Sequence, residues 1–162
     1  MHKAILLIGG NEGDRLGIIQ EARNLIRDKI GTIVKASSNY ESEPWGFKHH
    51  QNFINQVIEV FTPLSPNEVL FQGQVIEKQL GRRTKTQVGY EARTMDIDIL
   101  FYDDLIIESL ELAIPHPKLQ DRMFTVLPLI EEWGNHIHPV LNKPLKQLLE
   151  ECDDDGWVKK LE

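Results

Sequence analysis

The stretch MDIDILFY, residues 95–102, is apolar and β-prone apart from its two aspartates, and this pattern predicts a largely buried strand. Residues i and i+2 of a strand point to the same face, so Asp96 and Asp98 are expected side by side. Aspartate is disfavoured in strands and an unpaired buried carboxylate is costly, so core packing alone does not account for the pair. Either this strand has a wet face with two solvated acids, or the pair binds a cation such as Mg²⁺.

The apolar patterns around this strand predict a β-α-β-β-α-β order, which is typical of a ferredoxin-like arrangement. The predicted elements are a strand at 4–8, a helix at 16–30, strands at 32–39 and 53–61, a helix from Pro66 to about Leu80, and the strand at 95–102. Ser65 and Glu68 form a capping-box pattern at the start of the second helix. We therefore expect an α+β fold, a single-domain sandwich whose mainly antiparallel sheet has helices packed on its faces.

Three further elements are predicted beyond that strand. Asp103 and Asp104 are expected to form a hairpin turn into residues 105–107, and a later helix is expected at 124–133. The acidic triplet at 153–155 is expected to be a solvated bend.

Composition limits the classes of function. The chain has 162 residues and a formal net charge of −7, which fits one domain and argues against a general nucleic-acid binder. Its single cysteine, Cys152, excludes an intramolecular disulfide and fits a reducing cytoplasm. The apolar run at 4–8 is too short to span a membrane. We expect a cytoplasmic protein without nucleic-acid or membrane partners.

A basic segment directly precedes the Asp-x-Asp strand and is a candidate anion site. It contains Lys78, Arg82, Arg83, Lys85 and Arg93 against a single acid, Glu91. A solvated basic loop would have the same composition. Its position next to two carboxylates favours phosphoryl transfer, because that chemistry combines metal ions, carboxylates and basic side chains.

Three more clusters have both a structural and a functional interpretation. The turn Gly9-Gly10-Asn11 is either a tight turn or a close backbone approach to a ligand. Trp45, Phe53 and Asn55 form either an edge of the core or a site for a planar ligand, which rings stack on and an amide reads. His116 lies between two prolines and is either a capped turn residue or a rigid phosphate contact, with Arg122 and Phe124 close in sequence.

Four of these motifs occur in an order and spacing that resemble the 6-hydroxymethyl-7,8-dihydropterin pyrophosphokinases of folate biosynthesis. They are Gly9-Gly10-Asn11, Trp45-Gly46 before Phe53-x-Asn55, Arg93-x-x-Asp96-x-Asp98, and Pro115-His116 followed by Arg122. The resemblance covers residues 4–129. It implies a single pyrophosphokinase domain over residues 1–162, acting as a monofunctional, monomeric enzyme. Such an enzyme moves the β,γ-pyrophosphoryl group of ATP to the pterin hydroxymethyl oxygen and releases AMP.

The resemblance also implies roles for individual residues. Asp96 and Asp98 would bind two Mg²⁺ ions that bridge the ATP phosphates, and the catalytic set would be Arg82, Lys85, Arg93, Asp96 and Asp98. The ATP-binding set would be Gln74, Glu77, Tyr90, Arg93, Ile99, His116 and Arg122. The pterin-binding set would be Ser42, Pro44, Trp45, Phe53, Asn55, Asp96 and Phe124, with Phe53 and Phe124 sandwiching the ring and Asn55 reading its edge.

The sequence departs from the family pattern at two places. Gly10 stands where a serine is common, which removes a hydroxyl but keeps the turn. The run Gly89-Tyr90-Glu91-Ala92 keeps the aromatic residue before Arg93 but adds an acid, so Arg83 and Lys85 both remain candidates for the phosphate contact. No His or Glu stands out as a general base, and Asp98 is the group expected nearest the hydroxymethyl proton.

Two other classes of function remain open. A metal-dependent nucleotidyltransferase also combines a glycine turn with an Asp-x-Asp strand, but its turn normally lies close before the aspartates and a third carboxylate follows on a neighbouring strand. A non-enzymatic nucleotide- or metal-binding module would leave Phe53 and Asn55 without a purpose. The products formed from ATP distinguish the three classes.

Overall fold

The computed structural model describes residues 1–44, 51–81 and 94–161. The strands and helices in these ranges are β1 His2–Gly10, α1 Arg15–Lys29, β2 Thr32–Ala36, β3 Tyr40–Ser42, β4 Phe53–Thr62, α2 Pro66–Gln79, β5 Asp96–Tyr102, β6 Ile107–Glu108, β7 Ala113–Ile114, α3 Met123–Trp133, α4 Leu148–Glu151 and β8 Val158–Lys160. Short 3-10 turns cover Leu119–Asp121 and Leu145–Gln147. Among the described residues, no helix has the length and apolar character needed to cross a membrane.

Within the described residues, the main sheet has six strands in the order β5-β1-β4-β3-β8, and β2 also pairs with β4. Every pairing in it is antiparallel. Strands β5, β1, β4 and β2, with α1 and α2 as the two connections, have the predicted β-α-β-β-α-β arrangement. The predicted α+β class, with a mainly antiparallel sheet and helices on its faces, is confirmed.

Helices cover both faces of the sheet, so β1 and β4 are buried along most of their length. On one face, Leu6, Ile8 and Ile58 pack with the apolar sides of α1 and α2. On the other face, Leu7 and Val57 pack with α3, in what we call the α3-side core. This alternation follows from the period of two along a strand.

Two predicted strand features are wrong. The strand expected at 32–39 ends at Ala36, because the polar groups of Ser37 bond to β4: its hydroxyl accepts from the Val57 N–H and its carbonyl accepts from the Gln56 side chain. Asp103 does form a turn, with φ of 47°, but β6 pairs with β7 instead of returning along β5.

Candidate active site

The two aspartates of β5 lie half-buried on one face, while Ile97 and Ile99 between and after them are buried on the other. Asp96 is in register with Gly9 of β1, and Asp98 with Leu7. Residues directly opposite each other on antiparallel strands share a face. Because Leu7 belongs to the α3-side core, both carboxylates lie on that face, at the end of the sheet where β1 finishes.

A row of residues in register runs across the sheet from Asp96 to the predicted pterin residues. Asp96, Gly9, Asn55 and Tyr40 are in register across β5, β1, β4 and β3. Phe53 lies two residues from Asn55 and therefore shares its face, with Ser42 opposite it on β3. Sheet pairing thus assembles carboxylates, an amide and an aromatic ring at one end of one face, from segments far apart in the chain.

Gly9 makes room for Asn55 in this row. A Cβ at position 9 would lie 2.3 Å from Asn55 Oδ1 and 2.2 Å from the carbonyl oxygen of Ile54. Asn55 itself is only 6% exposed, so its side chain has no open space to retreat into. The sequence left open a tight turn or a close approach to a ligand at Gly9; in the structure Gly9 lies within β1, and its close neighbours are Ile54 and Asn55 of β4.

Gly9→Ala is expected to destabilise the protein by about 1–3 kcal/mol, because the new methyl group overpacks the row. A suitable control is Gly73→Ala in α2, where the added Cβ would make only a 3.5 Å contact with Ile97 Cγ2. That control should be neutral or stabilising by about 0.5–1 kcal/mol, because glycine inside a helix is unfavourable. Urea unfolding of both variants measures the difference, and equal stabilities would contradict the clearance assigned to Gly9.

The outer edge of β5 is bonded to two predicted ATP-site residues. Glu77 Oε2 accepts a 2.8 Å hydrogen bond from the N–H of Ile97, between the two aspartates. The N–H of His116 donates to the carbonyl of Leu100 at 3.0 Å. Glu77 is buried, and its bond to the N–H of Ile97 ties α2 to β5 between the two aspartates. Gln74 lies exposed one turn earlier on α2.

His116 is held as a neutral hydrogen-bond donor. Its Nδ1 accepts from the N–H of Lys118 at 3.2 Å, which assigns the proton to Nε2. Burial lowers the pKa of His116 to about 4, and the positive charges of Arg122 and Lys118 add to this. At neutral pH the ring therefore carries no charge and offers one N–H, which suits a contact to a phosphate oxygen.

This shifted pKa predicts a pH-dependent stability. Because the folded pKa of about 4 lies below the ordinary value of 6.5, the unfolded chain binds the proton first as the pH falls. The free energy of unfolding should therefore decrease between pH 6.5 and 4, by on the order of 1–2 kcal/mol after allowing for partial solvent exposure. His116→Gln should lose less stability over this range than the wild type. Parallel stability curves from urea unfolding would contradict the assignment.

The start of α3 provides a cation and a ring together. The guanidinium carbon of Arg122 lies 5.6 Å from the centroid of the Phe124 ring. Phe124 is half-buried and packs against the α3-side core. The predicted phosphate contact and the predicted pterin wall thus lie two residues apart at one helix start.

The chain that follows β1 is bonded to the segment that leads into Phe53. The turn predicted at Gly9-Gly10-Asn11 is wrong for the two glycines, which lie within β1. The side chain of Gln51 accepts from the N–H of Gly13 at 3.0 Å and donates to its carbonyl at 3.2 Å. Asn11 is fully buried, and its side chain donates to the carbonyl of Gln51 at 3.5 Å. Arg15 donates to the carbonyl of Asn52 at 2.8 Å. These bonds therefore hold the residues that lead into β4 in position. Sequence patterns did not indicate this role for Gln51.

The remaining predicted site residues divide into two groups. Ser42 is buried at the end of β3, Pro44 is half-buried just after it, and Ile99 is buried in β5. Trp45, Arg82, Arg83, Lys85, Tyr90 and Arg93 lie outside the described residues.

The carboxylates of Asp96 and Asp98 suit a metal ion that binds together with a nucleotide. Among residues 1–44, 51–81 and 94–161, no group of three or more His, Cys, Asp or Glu side chains forms a metal cage. Mg²⁺ is commonly bound by one or two carboxylates together with substrate phosphates and water. Asp96 and Asp98 provide such a pair, partly exposed on one face, so the donor set fits magnesium bound with a nucleotide.

Comparison with known proteins shows that this chain is similar to a class of transferases. The family model described as 7,8-dihydro-6-hydroxymethylpterin-pyrophosphokinase (HPPK) matches residues 5–133. A 2-amino-4-hydroxy-6-hydroxymethyldihydropteridine pyrophosphokinase of Aquifex aeolicus (strain VF5) is 41% identical over 147 residues, covering 91% of this chain and 90% of the relative. The protein of the same name from Bacillus subtilis (strain 168) is 37% identical over 129 residues, covering 79% and 76%.

The fold agrees with a solved structure of this class. In the crystal structure of wild-type Plasmodium falciparum HPPK-DHPS with pteroate, the match has a TM-score of 0.76 at 18% identity, and it covers 93% of this chain and 42% of that one. The chain belongs to the 7,8-dihydro-6-hydroxymethylpterin-pyrophosphokinase family.

Proposed function

We propose that this protein transfers the pyrophosphoryl group of ATP to the hydroxymethyl group of 6-hydroxymethyl-7,8-dihydropterin in folate biosynthesis, giving the pterin diphosphate and AMP. The family model and the relatives support this reaction. The observation that supports it for these residues is the row Asp96, Gly9, Asn55, in which the carboxylate proposed to hold the metal is in register, through Gly9, with the amide proposed to read the pterin.

Three side chains on the α3 side of the sheet would hold the pterin. The carboxamide of Asn55 offers a donor and an acceptor in a buried position, which matches the donor-acceptor edge of a pterin. The rings of Phe53 on β4 and Phe124 on α3 are half-buried and can stack on a planar heterocycle. Burial of Asn55 removes competing water, so a ligand lacking the matching edge would leave buried polar groups unpaired.

Asp96 and Asp98 would hold Mg²⁺, with two ions as the proposed number. A magnesium ion held by these carboxylates would neutralise charge on the phosphates and would favour their alignment for in-line attack. Glu77 keeps the backbone between the two carboxylates fixed through its bond to Ile97, so the pair is positioned before the substrates arrive.

The phosphates would also be contacted by protein cations and donors. His116 offers its Nε2–H, and Arg122 offers a guanidinium at the start of α3. Arg82, Lys85 and Arg93 are proposed to complete this set from the segment beyond the described residues. Because the phosphoryl transition state is loose, a strong general base is not required, and Asp98 is proposed as the group nearest the hydroxymethyl proton.

The test of the proposed function follows AMP. Purified protein is incubated with ATP, Mg²⁺ and reduced 6-hydroxymethylpterin, with parallel reactions lacking the pterin or containing EDTA. Pterin-dependent AMP that disappears with EDTA is the expected result. Pyrophosphate release with a nucleotide or sugar acceptor would instead indicate a nucleotidyltransferase, and nucleotide binding without turnover would indicate a binding module.

The proposal includes a monomeric protein of the reducing cytoplasm. The single cysteine, Cys152, supports the reducing setting. Light scattering coupled to size-exclusion chromatography should give the mass of one chain, 18.7 kDa. A stable mass of two chains would contradict the monomer.

A further inference from the structure

The segment from Asp154 to Lys160 lies against the walls of the proposed pterin site, although the family model matches only residues 5–133. Its strand, β8, pairs with β3, and Val158 is in register with Ser42. Ser42 in turn lies opposite Phe53 on β4. The segment therefore forms the border of the sheet beside one side of that site.

Asp154 connects this segment to the other side. Its Oδ2 accepts a 2.9 Å hydrogen bond from the N–H of Met123, the first residue of α3. Its Oδ1 accepts from the N–H of Gly156 at 2.8 Å. The helix's own N-cap residue, Arg122, makes no side-chain capping bond within the described part of the chain, so Asp154 caps α3 from 31 residues away. A carboxylate at this end is also favoured by the helix dipole.

A second bond holds the segment to β3. The N–H of Trp157 donates to Glu43 Oε1 at 3.2 Å, and Glu43 lies between Ser42 and Pro44. The expected solvated bend at 153–155 is therefore wrong for Asp154, although Asp153 and Asp155 are exposed. One short segment is bonded both to the residue before Phe124 and to the chain beside Ser42.

We propose that Asp154 is a positioning residue for pterin binding, which acts by fixing the first turn of α3 and with it the ring of Phe124. The inference rests on the proposed function, since it names what holds one wall of that site. Without the cap, the N–H of Met123 loses its acceptor and the first turn frays, because the first N–H groups of a helix have no partner within it. Phe124 is the next residue, so its ring would no longer be held in place by the first turn of α3.

The test compares Asp154→Ala with Asp154→Asn and with Asp153→Ala, the exposed neighbour of the same charge. Loss of a helix cap corresponds to roughly a five- to tenfold change in an equilibrium constant, so KM for the pterin should rise by about that factor in Asp154→Ala. KM for ATP should change less than KM for the pterin, because Asp96, Asp98 and His116 lie on other elements and, among the described ATP-set residues, only Arg122 borders the frayed turn. Asp154→Asn keeps one acceptor oxygen and should restore part of the pterin affinity. Asp153→Ala should resemble the wild type.

The outcomes separate the inference from the proposed function. A wild-type protein that forms no pterin-dependent AMP overturns the proposed function, and the inference with it. An active wild type with unchanged pterin KM in Asp154→Ala overturns the inference alone. Merely structural damage would lower kcat through loss of active protein and leave KM unchanged, which also overturns it. If Asp154→Ala does not fold, Asp154→Asn measured below its melting temperature decides the same question.

Discussion

Replacing Asp96 or Asp98 by alanine should lower kcat by at least about 10³-fold while the protein remains folded. Each carboxylate is proposed to hold magnesium against the phosphates, and removing a group that stabilises developing charge has effects of this size. Both side chains are half-buried at the end of one sheet face, so neither is part of the apolar core. The melting temperature of each variant should therefore stay close to that of the wild type.

Asp104→Ala is the matched control for this experiment. Asp104 lies just after the same strand and is exposed in a turn, so its removal changes the net charge equally without touching the site. Its turnover should be within about twofold of the wild type. Titration with Mg²⁺ adds a second measurement, because a weakened metal site should need more magnesium to reach half of its maximal rate. Near wild-type rates in either aspartate variant would contradict the assignment of Asp96 and Asp98 as magnesium ligands.

The sequence was sufficient to predict the features that depend on local pattern. The capping box at Ser65 and Glu68 is present as predicted, because a helix cap needs only neighbouring residues. The resemblance to the pyrophosphokinases was also right, since it depends on motif order.

Features that depend on pairing across the fold were not predicted. Glu77 bonds to Ile97, twenty residues away, and Asp154 to Met123, thirty-one residues away. Nothing local marks either carboxylate as the partner of a particular backbone N–H. The pairing of β6 with β7 was missed for the same reason, because a turn at Asp103 fits more than one continuation of the chain. Register also explains Gly9, whose requirement for a small residue comes from Asn55 on the adjacent strand.

Asn55→Ala should raise KM for the pterin by roughly 10- to 100-fold, because a buried substrate edge then loses its partner in the protein. Asn55 is 6% exposed and lies in the row that contains Asp96, so water does not readily replace its carboxamide. KM for ATP should change by less than about threefold, since the amide is proposed to contact only the pterin.

Gln56→Ala is the matched control, because it removes a second buried amide from the same strand but on the opposite face. The side chain of Gln56 donates to the carbonyl of Ser37 at 2.7 Å, so this variant should lose stability by about 1 kcal/mol while keeping its pterin KM within twofold. Equal changes in pterin KM for the two alanine variants would show that loss of packing, and not loss of recognition, causes the effect.

Asn55→Asp distinguishes recognition from space filling. The carboxylate has nearly the same shape as the carboxamide and avoids a cavity, but it can only accept hydrogen bonds when ionised. A pterin edge presents both donors and an acceptor oxygen. The ionised carboxylate of the variant has no advantage over the carboxamide in accepting from those donors, and it has no hydrogen to donate to the acceptor oxygen, so that bond is lost. Pterin KM should therefore rise as in Asn55→Ala although the packing is kept, and it should recover partly at low pH, where protonation restores a donor. A wild-type KM for Asn55→Asp at neutral pH would mean that position 55 supports the pocket by its shape and does not read the pterin edge.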